Sequence, residues 1–234
     1  MNRKLIALGI IVIIAVSSNI FFSGCTEEPK PRDEEPILVL DDSNATQEGK
    51  SSVVGANNQF ALDFYSELKD EEENIFFSPY SISVALAMTY EGARGQTAEE
   101  MQSVMHFPED ESLRRPAFAW IHNQLNKKDK DYTLNTANAL WAQEDYKFLD
   151  EYFEIIEQYY GGNAVNLDFV GETEKSRLTI NDWVEEQTND KIQDLIPKGN
   201  IDPLTRLVLT NAIYFKANWK VQFDPEETKE LEFE

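Results

Sequence analysis

The run Leu207-Val-Leu-Thr-Asn-Ala-Ile-Tyr-Phe-Lys-Ala-Asn-Trp219 restricts the fold more than any other part of the chain. Its β-branched and aromatic residues fit a long buried strand running into a tryptophan-capped end. Asn211 stands inside this otherwise apolar run, and a buried amide there needs a hydrogen-bond partner. A second strand-like run, Glu230-Leu-Glu-Phe-Glu234, follows.

Helical segments precede this strand. Phe60, Ala61, Phe64, Tyr65 and Leu68 recur at helical spacing, predicting an amphipathic helix over 58–69 that an acidic turn at 70–73 closes. Asn74-Ile-Phe-Phe77 reads as a very short strand. Ser78 then caps a helix with Pro79 at its first position, where the missing N–H costs nothing. That helix, through Val84, Ala85, Leu86, Ala87 and Met88, is apolar nearly all round and should be central. Thr97 and Glu100 have capping-box spacing, so another helix is expected from Ala98. A further helix over 111–128 must hold Pro116 in its first turns or bend at it.

The stretch 132–141 alternates as a strand, with Leu134, Thr136, Asn138 and Leu140 on one side and small or apolar groups on both, implying cover above and below. A helix over 149–160 ends at Gly161-Gly162, a short strand follows over 164–169, and Ile180, Trp183 and Val184 mark a helix over 173–189. An irregular crossing with two prolines, 194–204, leads to the long strand. The fold class is α+β. At 234 residues, 41% hydrophobic and 12% aromatic, the chain can build a sizeable core, as one large domain or two. Its net charge of -22 argues against binding nucleic acid or anionic membrane faces, which need clustered cations.

The amino terminus reads as a targeting segment over 1–25. Arg3 and Lys4 precede an apolar run over 5–16, and Phe22-Ser-Gly-Cys25 ends in small residues before the only cysteine. The apolar run is short for a membrane span of about 20 residues. The Ser-Gly-Cys ending resembles a prokaryotic lipobox, making Cys25 the expected lipidation site; an ordinary cleaved signal and an uncleaved anchor are the alternatives. All three place the domain outside the cytoplasm. A lone cysteine leaves no internal disulfide. From 26 to 56 the chain is acidic and rich in proline, serine and asparagine, the composition of a disordered tether. Asn44-Ala-Thr46 is a glycosylation sequon within it.

Signatures of catalysis are weak. The two histidines, His106 before Phe107-Pro108 and His122 among Trp120, Ile121 and Leu125, lack a second His or Cys at metal-ligand spacing and read as structural. There is no G-x-S-x-G, H-E-x-x-H or phosphate-cradling glycine loop, so neither enzyme activity, a metal nor a cofactor is expected. The cluster Lys127-Lys128-Asp129-Lys130 fits a helix end favouring cations better than a polyanion site.

Three ordered motifs, 74–83, Tyr90-Glu-Gly-Ala-Arg-Gly-Gln-Thr97 and 207–219, together with the order of elements between them, resemble the serpin family of serine protease inhibitors. The resemblance covers 57–234, about the first half of a serpin domain: helices packed on part of a large mixed sheet A, without the later sheets and reactive loop. It departs in a small way at Ala217, where the family often has glycine. The resemblance implies inhibition of secreted serine, or cysteine, proteases by insertion of a cleaved reactive loop beside the strand 207–215. It matches Ser78, Ser81 and Asn211 to the polar shutter that holds the sheet closed, with a partner histidine from the second half of the domain, and Trp219 to the breach where the loop enters. The scissile bond has no counterpart here, so the stretch is expected to be a truncated and inactive part of a monomeric, extracellular, membrane-tethered inhibitor. The competing expectation is a short surface lipoprotein whose degenerate serpin half serves as a binding or scaffold module.

Overall fold

A computed structural model describes residues 38–70, 74–127, 131–227 and 229. The targeting segment with Cys25, the first part of the expected tether, Lys128 to Lys130 and the run 230–234 lie outside the described residues. In chain order the elements are α1 (Gln47–Leu68), α2 (Pro79–Gly92), α3 (Gln96–Met105), α4 (Glu111–Leu125), β1 (Tyr132–Gln143), α5 (Asp150–Tyr160), β2 (Gly162–Leu167), α6 (Thr173–Gln187) and β3 (Leu207–Ala217).

The three strands form one sheet in the order β2-β1-β3. β1 runs parallel to β2, with Asn138 opposite Gly162, and antiparallel to β3, with Asn138 opposite Asn211. Period-2 alternation sends β1 side chains into two different cores. Leu140 and Ala142 enter a large cluster with Met88, Phe118, Ile156 and Tyr160, beneath the helices. Ala139 and Trp141 enter a second cluster with Phe169, Ile180 and Ile196, beneath α6. Both faces of β1 are therefore covered over residues 138–143, as its small and apolar composition predicts, while its first half and the end of β3 are more open.

Local chemistry explains most element ends. Ser78 has extended backbone (φ -108°, ψ 106°), its hydroxyl accepts from the Ser81 N–H at 3.3 Å, and Pro79 opens α2. α2 is central, with Ala87 and Met88 fully buried. Gly161 ends α5 in the left-handed conformation (φ 65°), which glycine adopts without the Cβ penalty. Gly162 follows, where an added Cβ would collide with Ile156 and come within 3.0 Å of the Met88 sulfur.

Four expectations are corrected. The folded part begins well before residue 57: α1 starts at Gln47, capped by Thr46, whose hydroxyl accepts from Gly49 N–H at 3.0 Å, and Leu40 is already buried. Gly49, Val53, Ala56 and Phe60 form its inner face at helical spacing, so residues from 38 onward are packed chain and not tether. Gly49 lets α1 approach the backbone of α4, where an added Cβ would lie 2.6 Å from the Leu113 carbonyl oxygen. Residues 74–77 have no strand partner among the described residues and lead straight into the α2 cap. The Thr97–Glu100 capping box does not form; α3 begins at Gln96, two residues before the expected Ala98, after Gly95 (φ 57°), and Glu100 accepts instead from the Gln96 amide at 2.8 Å. β3 stops at Ala217, leaving Trp219 beyond the strand.

Candidate sheet-opening site

The middle of β3 is tied to the helices by side-chain amides. Asn211 sits opposite Asn138, which with Gln143 is one of the two polar residues in the buried stretch of β1 from 138 to 143. Its Nδ2 donates to Asn138 Oδ1 at 2.6 Å, and its Oδ1 accepts from the Ser81 hydroxyl on α2. Asn138 in turn donates through Nδ2 to the Tyr160 carbonyl at the end of α5, at 2.9 Å. Asn138 and Ser81 are both buried, so each of these bonds satisfies a group that water cannot reach. The sheet centre is thereby linked to two helices at once.

Of the expected shutter residues, Ser81 and Asn211 meet directly. Ser78 stands one step away, holding Ser81 through its backbone N–H and capping α2. Trp219 does not join this cluster; it is 72% exposed, edge-on to Phe223 with ring centroids 5.8 Å apart. Asn138 is the member that sequence reasoning placed in the strand without giving it a role. Its signal was a carboxamide amid small and apolar residues at the same sheet level as Asn211, and that level is visible only once the register is known.

The network continues below. The Tyr160 hydroxyl donates to Glu91 Oε1 at 2.6 Å. Glu91, on α2, also receives Arg114 on Oε1 (3.1 Å) and Arg115 on Oε2 (2.8 Å), both from α4. Burial pushes the Glu91 carboxyl up, but Arg114, Arg115 and the Tyr160 hydroxyl together outweigh it and hold the group below its ordinary value. Burial and the neighbouring Glu91 charge push the Tyr160 phenol far up, so it stays a donor. Arg114 also lies over the Tyr90 ring at 4.6 Å. A buried charge held by this many partners fixes the relative positions of α2, α4 and α5, on which the shutter residues stand.

On the opposite face, the Trp141 indole donates to the Thr210 hydroxyl at 3.0 Å and packs edge-on against Trp183 of α6. α6 holds the crossing to β3 through Asn181, which brackets the Ile196 backbone at 2.8 and 3.0 Å, and Arg177, which donates to the same carbonyl at 2.7 Å. β3 thus has β1 on one edge and, among the described residues, no strand on the other. Near its end Phe215 is 61% exposed. His106 ends α3 and meets Asp63 of α1 at 2.7 Å, while His122 is buried in α4. No group of three or more metal-ligating side chains occurs among the described residues.

Comparison with known proteins is in line with this geometry. The family model Serpin (serine protease inhibitor) matches residues 55–234. An uncharacterized serpin-like protein of Methanosarcina mazei is 41% identical over 228 residues, covering 95% of this chain and 54% of its own length. Serpin B6 of Macaca fascicularis is 44% identical over 181 residues, covering 76% and 48%. Among solved structures, emu ovalbumin superposes with a TM-score of 0.72 at 36% identity, over 78% of this chain and 51% of that one. The loop-inserted structure of a cleaved ovalbumin mutant gives 0.70 at 33%, over 76% and 50%. The chain spans about half the length of the curated relatives it matches.

Proposed function

We propose, from the premise that this chain belongs to the serpin family, that it is the receiving half of an extracellular protease inhibitor, into which a cleaved loop inserts as a new strand beside β3, on the edge that faces away from β1. The observation that carries this reading is the state of β3. It is a long, largely apolar strand paired on one edge only among the described residues, and its centre is pinned by Ser81 and Asn138 through Asn211. A strand edge offers a row of backbone donors and acceptors, and adding a strand there gains both ladder pairing and burial. That gain is the work the inhibitor would perform on a bound protease. Ser81, Asn138 and Asn211 act as positioning residues that set how readily β3 separates from a later neighbour. Ser78 supports Ser81, and Trp219 takes its breach role only when further chain covers it.

The partner is a secreted serine, or cysteine, endopeptidase, and the loop that is cut comes from sequence beyond these 234 residues. The stretch by itself is then the inactive receiving part. For location, the Ser-Gly-Cys25 ending supports a lipid on Cys25 that tethers the domain outside the cytoplasm; incorporation of labelled fatty acid, lost in Cys25→Ser, tests this against a cleaved signal or an uncleaved anchor.

The test is a protease-trapping assay on a longer gene product that contains this stretch. Incubated with chymotrypsin-like and subtilisin-like enzymes, it should yield an SDS-stable adduct, whereas residues 1–234 alone should yield none. Cleavage of the longer product without any adduct, across both protease classes, would refute the inhibitory reading.

A further inference from the structure

We infer that residues 38–41 form an acid-released strap, latched by His122 onto the seam where α4, α5 and β1 meet. The strap is the first described segment of the chain, and it lies inside the stretch 26–56 whose composition reads as a tether. It is fastened at three points. The Asn123 side chain grips Leu40 from both sides, accepting from its N–H and donating to its carbonyl, each at 2.9 Å. Asp41 N–H donates to the Gln158 carbonyl of α5 at 3.1 Å, and the Gln158 amide returns a bond to the Asp41 carboxylate at 2.8 Å. The Leu40 side chain is buried, beside the turn at Gly161.

His122 is the third fastening and the titratable one. It is 5% exposed, and its Cε1 lies 3.4 Å from where a side chain on Gly161 would begin. Nδ1 is 3.2 Å from the Thr136 hydroxyl of β1, and the ring also hydrogen-bonds the Leu38 backbone. Thr136 Oγ1 already accepts from the Asn126 amide at 2.9 Å. Neutral imidazole fits this frame: one nitrogen donates to the Leu38 carbonyl and the other accepts the Thr136 O–H. A protonated ring has no lone pair for that O–H and brings a charge into a site without a carboxylate partner.

The charged and titratable groups on the packed elements are engaged elsewhere. On the strap, Asp41 is turned to Ser43 and Gln158. On α5, Tyr160 is committed to Glu91 and Glu157 is exposed. On α4, Arg115 is paired with Glu91 and Glu111, and Lys127 just beyond it with Gln124. β1 carries no charged residue, and its only titratable one, Tyr132, stacks near Phe215. Burial accordingly pulls the His122 ring below its ordinary value, against the smaller opposing effect of the Leu38 bond. The sign is fixed: the closed strap favours the neutral ring, so closure is complete above the ordinary value of about 6.5 and weakens as pH falls toward the lowered one.

The test is backbone hydrogen exchange on the full chain across pH 7.5 to 5, read as protection factors to remove the intrinsic pH dependence. Protection at the Leu40 and Asp41 amides should fall as pH drops from about 6.5 toward the lowered His122 value and level off below it, with a limiting slope of one proton, roughly tenfold per pH unit, while α2 and α6 amides hold. His122→Gln should abolish the slope. The same loss in His122→Gln, no loss in the wild type, or an equal loss in α2 and α6 would each overturn the inference. Should His122→Gln not fold, the ring resonance in the wild type decides: titration below 6.5, moving up toward 6.5 in Asn123→Ala where the strap is loosened, supports it; titration at or above 6.5 sinks it.

Discussion

Replacing Glu91 with glutamine should be among the most damaging single-atom-scale changes in this domain. The side chain of Glu91 is 1% exposed and that of Arg114 3%, so the pair has almost no water to fall back on. Glutamine preserves shape and an acceptor for the Tyr160 hydroxyl, but it deletes the negative charge. Arg115 keeps a partner, since its other face meets Glu111 at 2.7 Å. Arg114 does not: its remaining bonds go to the neutral Pro108 and Glu109 carbonyls. Removing one partner of a buried ion pair leaves an uncompensated charge and costs about 3–5 kcal/mol. For a domain of this size that corresponds to a fall in Tm of roughly 6–20 °C. The assay is urea and thermal denaturation of Glu91→Gln beside Arg114→Met and the double variant. The double variant should recover part of the loss, because the orphaned charge is gone, giving a coupling well above the ~0.5 kcal/mol expected of independent sites. The pH profile supplies a second arm. The Glu91 carboxyl lies below its ordinary value, so its contribution is present above about pH 4.3 and is lost as pH falls through the lowered value. That portion of the acid sensitivity should vanish in Glu91→Gln. A loss under 1 kcal/mol with additive single effects would refute the assignment of this ion network as the clamp on α2, α4 and α5.

Three further outcomes are expected. Gly49→Ala should lower stability by about 1–3 kcal/mol, because its Cβ would meet the Leu113 carbonyl backbone, which cannot move like a flexible side chain; no change in a denaturation curve would mean residues 47–56 are not packed. Asn211→Ala should cost about 2–4 kcal/mol by stranding Asn138 Oδ1 and the Ser81 hydroxyl in a dry site, and a double-mutant cycle with Ser81→Ala should be strongly non-additive. Asp190→Gly should stabilise the domain by up to about 1 kcal/mol, since Asp190 follows Asn189 in a second consecutive left-handed residue (φ 60° after 51°); a destabilised variant would show that its side chain has a compensating role.

The parts of the fold that were legible in the sequence are those whose cause is local. Ser78 and Pro79 announce the start of α2 because a cap and a missing donor act within one turn. The small and apolar alternation of β1 announces cover on both faces because the period of a strand is a property of the backbone. α1 was read too short for the opposite reason. Gly49, Val53 and Ala56 form its inner face, but glycine and alanine carry little hydropathy, and what makes them interior is the nearness of Leu113, 64 positions along the chain. The capping spacing at Thr97 was outcompeted by Gly95, whose positive φ starts the helix earlier. For the candidate site, Asn211 declared its need for a partner, while nothing local named Asn138 or the Glu91, Arg114 and Arg115 cluster.

By itself, then, the sequence determined the order of most elements, the long strand over 207–217 though not its depth of burial, and the family to which the chain belongs, since these follow from periodicity, caps and motif strings read within a few residues. Only the tertiary structure decided which polar groups meet. Asn211 finds Asn138 because the antiparallel register of β1 and β3 puts them opposite each other, and it finds Ser81, 130 positions away, because α2 packs on that face of the sheet. A buried hydrogen bond is worth having only if both ends arrive together, and arrival is a matter of three-dimensional packing that no window along the chain contains.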